Sequence, residues 1–210
     1  MPGIMERLKS ETQDLHDAAE THGHQTALVK GDLPLERYIA HLEQHLMLHR
    51  ALENALRAHS SAHPAFDAVI TAEQFQEPYL EEDLRHFGCD PQTVTSTPET
   101  QEVVEDIERA AAEQPIKLLG FHYVMEGSNN GNRFIAMKIR EAYNLSDGKG
   151  LKYLDPYGQN QRPLWMKFKQ DMADQQFTPQ EEDLLVEGAK EMFKGVGRIS
   201  DGLLTAGSPA

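Results

Sequence analysis

Cysteine is nearly missing from this chain of 210 residues: Cys89 stands alone, so neither an intramolecular disulfide nor a thiolate metal cluster can form within one chain. Cationic clusters are missing as well. Twenty basic residues face 34 acidic ones, giving a formal net charge of −14, and no basic run is long enough to track a phosphate backbone, which argues against nucleic acid as a partner. Long apolar runs are absent too, and nothing approaches the ~20 residues needed to span a bilayer. The beginning, "MPGIMERLKS", has no apolar signal-peptide core, and the end, "TAGSPA", is polar. The expectation is a cytoplasmic protein with no membrane anchor.

Strand signals are also lacking. No period-two alternation is sustained, and the β-branched residues near 93–97 sit in the Pro- and Thr-rich "DPQTVTSTPET", a breaker composition. What recurs instead is helical periodicity. The sequence predicts helices over about 3–22 and about 34–59, the second opened by Asp32, Leu33 and Pro34. It further predicts a short unit over 64–88, a helix from Thr97 or Pro98, and about 30 residues of helical pattern after Pro115, interrupted by "GSNNGN". The last two helices start near Pro163 and at Pro179, where Thr178 and Glu181 form a capping box. The reading is an all-α fold in a single domain over 1–204, followed by a short polar tail over 205–210.

Several stretches carry chemistry. In "LKSETQDLHDAAE" (8–20), Lys9, Thr12, His16 and Glu20 fall within an arc of about 80° at helical pitch, beside an apolar line of Leu8, Leu15 and Ala19. A metal-bound imidazole needs an acceptor for its second nitrogen, and Glu20 one turn on is within reach. An ordinary helix-face ion pair has the same pattern.

In "GSNNGN" (127–132), Gly127 and Gly131 share one helix face, and each costs about 1 kcal/mol relative to alanine in a helix interior. Two glycines one turn apart allow close approach by a flat ligand or another backbone, and a Gly/Ser step permits a kink. A simple break between two helices fits equally. In "HLEQHLMLHR", His45 and His49 point within the buried stripe and His41 lies at its edge. Two of these could share a metal, but no third ligand is marked out. Lys167 and Lys169 in "PLWMKFKQDM" are either an anion clamp or solvated charges.

Together these stretches resemble the heme oxygenases. The family's first helix has a pattern like L-K-x-x-T-x-x-x-H-x-x-x-E, matched by Leu8, Lys9, Thr12, His16 and Glu20. The likeness continues through "KGDLP", "ALENAL", "YLEEDLRHFG" and "KFKQDM…FTPQEEDLLVEGAKEMF". It implies a helical bundle holding heme between the first helix and a kinked distal helix. His16 would be the proximal iron ligand, Lys9 and Lys169 would face heme propionates, Glu20 would support the proximal imidazole, and Phe193 would line the pocket.

The family's distal G-D-x-x-G-G becomes Gly127, Ser128, Asn129, Asn130, Gly131 and Asn132. The aspartate that orders proton-delivering water is replaced by Ser128, and a second basic propionate partner by Ala173. The resemblance makes Gly127, Ser128, Gly131 and His49 the catalytic set, with His49 where relatives often have tyrosine. Asn129, Asn130 and Asn132 join the binding residues.

The activity so implied is oxidative opening of heme to biliverdin, with release of carbon monoxide and ferrous iron. It uses dioxygen and electrons from a ferredoxin, flavodoxin or reductase. Two other classes are carried alongside: a heme-binding protein of this fold with impaired ring opening, suggested by Ser128 and Asn132, and a di-iron oxidase using Glu43, His45 and His49.

Overall fold

The computed structural model describes residues 2–145 and 147–205. Among them are nine α-helices and no strand: α1 (Ile4–Thr21), α2 (Gly23–Lys30), α3 (Leu35–Ala58), α4 (Pro64–Val69), α5 (Glu77–His86), α6 (Pro98–Glu113), α7 (Lys117–Ala142), α8 (Gln161–Ala173) and α9 (Pro179–Thr205). The fold is all-α, as the periodicity indicates. Apart from Thr205, the polar tail lies outside the described residues.

The cap of α9 is where the sequence puts it. Glu181 accepts from the Thr178 N–H at 2.7 Å while the Glu181 N–H donates back to Thr178 Oγ1 at 3.3 Å, so two otherwise unpaired donors at the start of α9 are satisfied reciprocally. Two expectations need correction, and one helix start, expected near Pro163, is now placed. Helix α2 follows α1 after one residue, His22, whose ring accepts from the His24 N–H; it ends at Gly31 with φ +73°, a left-handed cap that glycine adopts freely. Helix α8 begins two residues before Pro163, because the missing proline N–H costs nothing in a first turn. And "GSNNGN" does not divide two helices: α7 runs through it without a break. There the Ser128 hydroxyl donates to Met125 O at 2.7 Å and the Asn130 amide to Gly127 O at 2.9 Å, so these turn-forming side chains bond to the helix itself.

Two apolar cores explain why α7 carries a polar segment at its middle. The first joins Leu8 of α1, Leu48 and Leu52 of α3, Phe66, Ile107, Leu118 to Met125 of α7, Phe168 of α8 and Leu185 to Ile199 of α9. The second joins Leu28 of α2, Leu42 and Leu46 of α3, Leu80 and Leu84 of α5, Ile135 to Ile139 of α7 and Leu154. Residues 126–132 lie between the α7 contributions to these cores, and His45 and His49 of α3 lie at the matching crossover. Polar side chains therefore occupy a seam between two apolar bodies, and there the fold has to place their hydrogen bonds.

Helix α9 is the common support. It packs on α7, α1, α6 and α2, while α8 touches both α1 and α7. Helices α1 and α7 share hardly any direct contact, so they stand as two walls with α8 and α9 beside them.

Candidate active site

His16 is on the α1 wall. Its side chain is half exposed, and the nearest carboxylate oxygens, of Asp17 and Glu20, are each 3.7 Å from a ring nitrogen, beyond hydrogen-bond range. The ring stands edge-on to Phe193 of α9 at a centroid separation of 6.0 Å. The structure thus brings into contact two residues 177 positions apart that the family resemblance assigns to one pocket, and leaves the imidazole without a hydrogen bond. Among the described residues, His16, Asp17 and Glu20 form one group whose ligand atoms lie within 4.8 Å of one another. Lys9 is exposed. Thr12 is buried and its hydroxyl donates to Leu8 O at 2.7 Å, so its methyl, not its oxygen, is left to pack against neighbours.

The α7 wall is glycine-faced. A Cβ on Gly131 would meet nothing within 4 Å, and Phe134, on the same face by helical pitch, is 72% exposed. At Gly127 the situation differs: a Cβ there would come within 3.3 Å of the Trp165 indole. Ser128 is exposed, with its proton given to Met125 O. Asn130 also accepts from Gln161 at 3.4 Å, while Asn129 and Asn132 are buried. Lys169 lies over the Trp165 ring at 5.7 Å, whereas Lys167 pairs with Asp171 one turn on at 2.5 Å. Of the two lysines, Lys169 is therefore the one free of a carboxylate partner among those described.

His49 is not joined to Ser128 by a hydrogen bond. It is 2% exposed, its Nδ1 is 3.2 Å from Glu53 Oε1, and its buried Nε2 has no partner. The expectation for His41 also needs revision: it is buried at 5%, because α2, unforeseen in the sequence, lays His24 against it with 3.2 Å between ring nitrogens. His45 bonds His41 O at 3.0 Å.

Beyond these residues the seam holds a polar network that sequence reasoning missed. Glu53 accepts from the backbone N–H groups of Gln76 at 2.6 Å and Glu77 at 3.0 Å. The Gln76 amide donates to Tyr157 Oη at 3.1 Å, and Tyr157 donates to Glu126 Oε2 at 2.8 Å. Asn129 adds a bond to the same oxygen at 3.3 Å. Burial lifts the Glu126 carboxyl to about 7 against the pull of those two donors, and its Oε1 is buried without a partner. Glu126 directly precedes Gly127, so adjacency to the glycine motif was the signal available. Tyr157 had none, being brought in by the loop that Asp83 pins through the N–H groups of Lys152 and Tyr153, both at 2.9 Å.

The family model described as Heme oxygenase matches residues 3–200. This chain belongs to the heme oxygenase family. Its sequence is 28% identical over 153 residues to heme oxygenase 2 of Synechocystis sp., an alignment spanning 71% of this chain and 61% of that protein, less than two thirds of the relative's length. The fold is similar to that of heme oxygenase from Leptospira interrogans (TM-score 0.87, 23% identity, covering 95% of this chain and 100% of the other). It is equally similar to heme oxygenase-2 of Synechocystis in complex with heme and NO (TM-score 0.87, 22% identity, covering 99% and 89%).

Family membership makes the fit of a heme group the question to put to these walls. The open face at Gly131, the exposed Phe134 and the unbonded imidazole of His16 beside Phe193 suit a flat, apolar, iron-bearing ligand. The di-iron set is less well served, since His49 is engaged by Glu53 and His45 by its own helix. No described helix is long and apolar enough to cross a membrane.

Proposed function

We propose that this chain binds heme between α1 and α7 and opens it to biliverdin, releasing carbon monoxide and ferrous iron, with dioxygen and an external electron donor such as a ferredoxin, flavodoxin or reductase. The single observation that carries the reading is the unbonded His16 imidazole beside Phe193 in a chain whose family match spans residues 3–200. Heme, when bound, supplies the iron that activates dioxygen and is itself the molecule consumed. His16 would hold the iron through a ring nitrogen, and Glu20, one turn on with an oxygen 3.7 Å from the ring, would orient the imidazole.

Lys9 and Lys169 are assigned to the propionates and Phe193 to the porphyrin face. Gly131 admits the ring against the α7 backbone, while the space beside Gly127 is taken by the Trp165 indole. Ser128 and Asn130 then hold water on that face: the Ser128 hydroxyl has given its proton to its own helix and keeps lone pairs to accept from water, while the Asn130 amide keeps a second N–H to donate to it. The unpartnered Nε2 of His49 is a further polar atom for such water.

A second reading, a heme-binding protein with impaired ring opening, is favoured by one observation: position 128 offers a hydroxyl already bonded to Met125 O, not a carboxylate. Hemin added to the protein, followed by reductant in air, separates the two. Biliverdin absorption growing as the Soret band falls supports the enzyme. A Soret band that forms and survives competent reductant moves the assignment to heme binding.

A further inference from the structure

Trp165 is the one tryptophan in the sequence, and neither charge nor periodicity gives it a task beyond packing. In the structure it stands against the glycine face. Its Cη2 is 3.3 Å, its Cζ2 3.8 Å and its Cζ3 3.9 Å from where a Cβ on Gly127 would sit. The edge of the six-membered ring therefore fills the space that Gly127 leaves, while Gly131, one turn on, faces nothing within 4 Å. The two glycines are not equivalent: one is covered and one is open.

The indole is held on several sides. It stacks on Phe168 at 5.4 Å with planes 10° apart, and Phe168 is itself 1% exposed, so the platform is part of the core. Tyr123 of α7 tilts against it at 5.8 Å, and the Lys169 ammonium lies 5.7 Å over the ring. Moving the indole away would forfeit two aromatic contacts and a cation–π contact. A ligand arriving at the glycine face meets a fixed wall.

We infer that Trp165 is a positioning residue for heme, a proposal that rests on the reading above. The indole closes the Gly127 end of the face, seats the porphyrin toward Gly131, and so fixes which of its four meso edges lies against α7. The residue that sets regiochemistry is then an aromatic wall on α8, with the Lys169 ammonium on the same side to hold the propionate edge in register. Removing the wall gives the ring freedom to rotate in its own plane.

The experiment uses the full chain reconstituted with hemin, as wild type, Trp165→Phe, Trp165→Leu and Trp165→Ala. Three quantities are read: the heme-methyl proton resonances of the ferric cyanide complex, which count in-plane orientations; the rate of hemin transfer to excess apomyoglobin; and the isomers of biliverdin formed on turnover. Melting of the heme-free variants reports folding separately.

Wild type and Trp165→Phe should each show one dominant set of resonances and the same main isomer. Trp165→Leu and Trp165→Ala should show additional sets, a mixed isomer pattern, and hemin release faster by about tenfold, the loss expected for one aromatic contact. If Trp165→Ala is too unstable to prepare, Trp165→Leu keeps the apolar volume and carries the test. Resonances and isomers identical to wild type in the leucine and alanine variants would overturn the inference and leave the heme reading standing. A wild-type protein that forms no Soret band with hemin would overturn both.

Discussion

Gly120 of α7 and Leu185 of α9 cross backbone to backbone: a Cβ on Gly120 would lie 2.1 Å from Leu185 O, and the reciprocal glycine, Gly188, would place a Cβ 2.5 Å from Lys117 O. No rotamer relieves such a contact, because the obstacle is main chain. This crossing sets how close α7 lies to the helix that also supports α1, and so fixes one wall of the site.

Gly120→Ala and Gly188→Ala should therefore each destabilise the protein by about 1–3 kcal/mol or more through overpacking. Urea denaturation followed by circular dichroism measures this directly. Midpoints within error of wild type for both variants would mean the helices separate without cost, contrary to the crossing described.

Gly131→Ala should do the opposite to the heme-free protein. Nothing obstructs the new methyl group, and alanine is better than glycine in a helix interior by about 1 kcal/mol, so the heme-free melting temperature should rise. Hemin affinity and turnover should fall, since the methyl occupies the surface assigned to the porphyrin. A variant that is more stable and binds hemin as tightly as wild type would place the ring elsewhere.

His16→Ala should remove the proposed iron ligand while leaving apolar contacts to retain some heme. The ferrous carbon monoxide spectrum should change, and added imidazole should restore it by filling the vacated space. A spectrum identical to wild type without imidazole would point to another ligand, with His49 the first to test.

Stability should fall as the pH drops below about 6.5. Burial holds His24 and His122 down at about 4 and His45 at about 3, and pushes His41 well below its ordinary value. In the unfolded chain each takes up a proton near 6.5, so the unfolded state binds more protons and gains about 1.4 kcal/mol per pH unit for each such histidine. Burial raises Glu126 to about 7 and Asp83 to about 6, and these act in the other direction. Their contribution is full below the unfolded carboxylate values and is lost as pH rises through the folded ones. Four groups outweigh two, so urea midpoints should decline from pH 6.5 to 4.5; a flat profile would contradict the burial of the histidines as neutral rings.

Glu126→Gln isolates one of those opposing groups. The amide oxygen can still accept from Tyr157, but the buried charge present above pH 7 is gone, so the variant should exceed wild type in stability at pH 8 by about 1–3 kcal/mol. The gap should close at pH 5, where the native carboxyl is already protonated. An equal difference at both values would mean that the effect is packing and not ionisation.

The helix periodicity, the Thr178–Glu181 cap and the His16 motif were all legible in the chain, because each depends on residues within one or two helical turns. Local spacing fixes which side chains share a face, and so His16 and Glu20, or Gly127 and Gly131, could be paired without coordinates. Tertiary packing decided the rest. That α2 covers His41, that Trp165 closes one glycine and leaves the other open, and that Tyr157 reaches Glu126 all depend on elements separated by 17 to 38 positions. Even "GSNNGN", which reads as a break, is helical because residues on either side of it belong to two different cores, and burial on both sides of the segment outweighs the local preference of glycine and asparagine for turns.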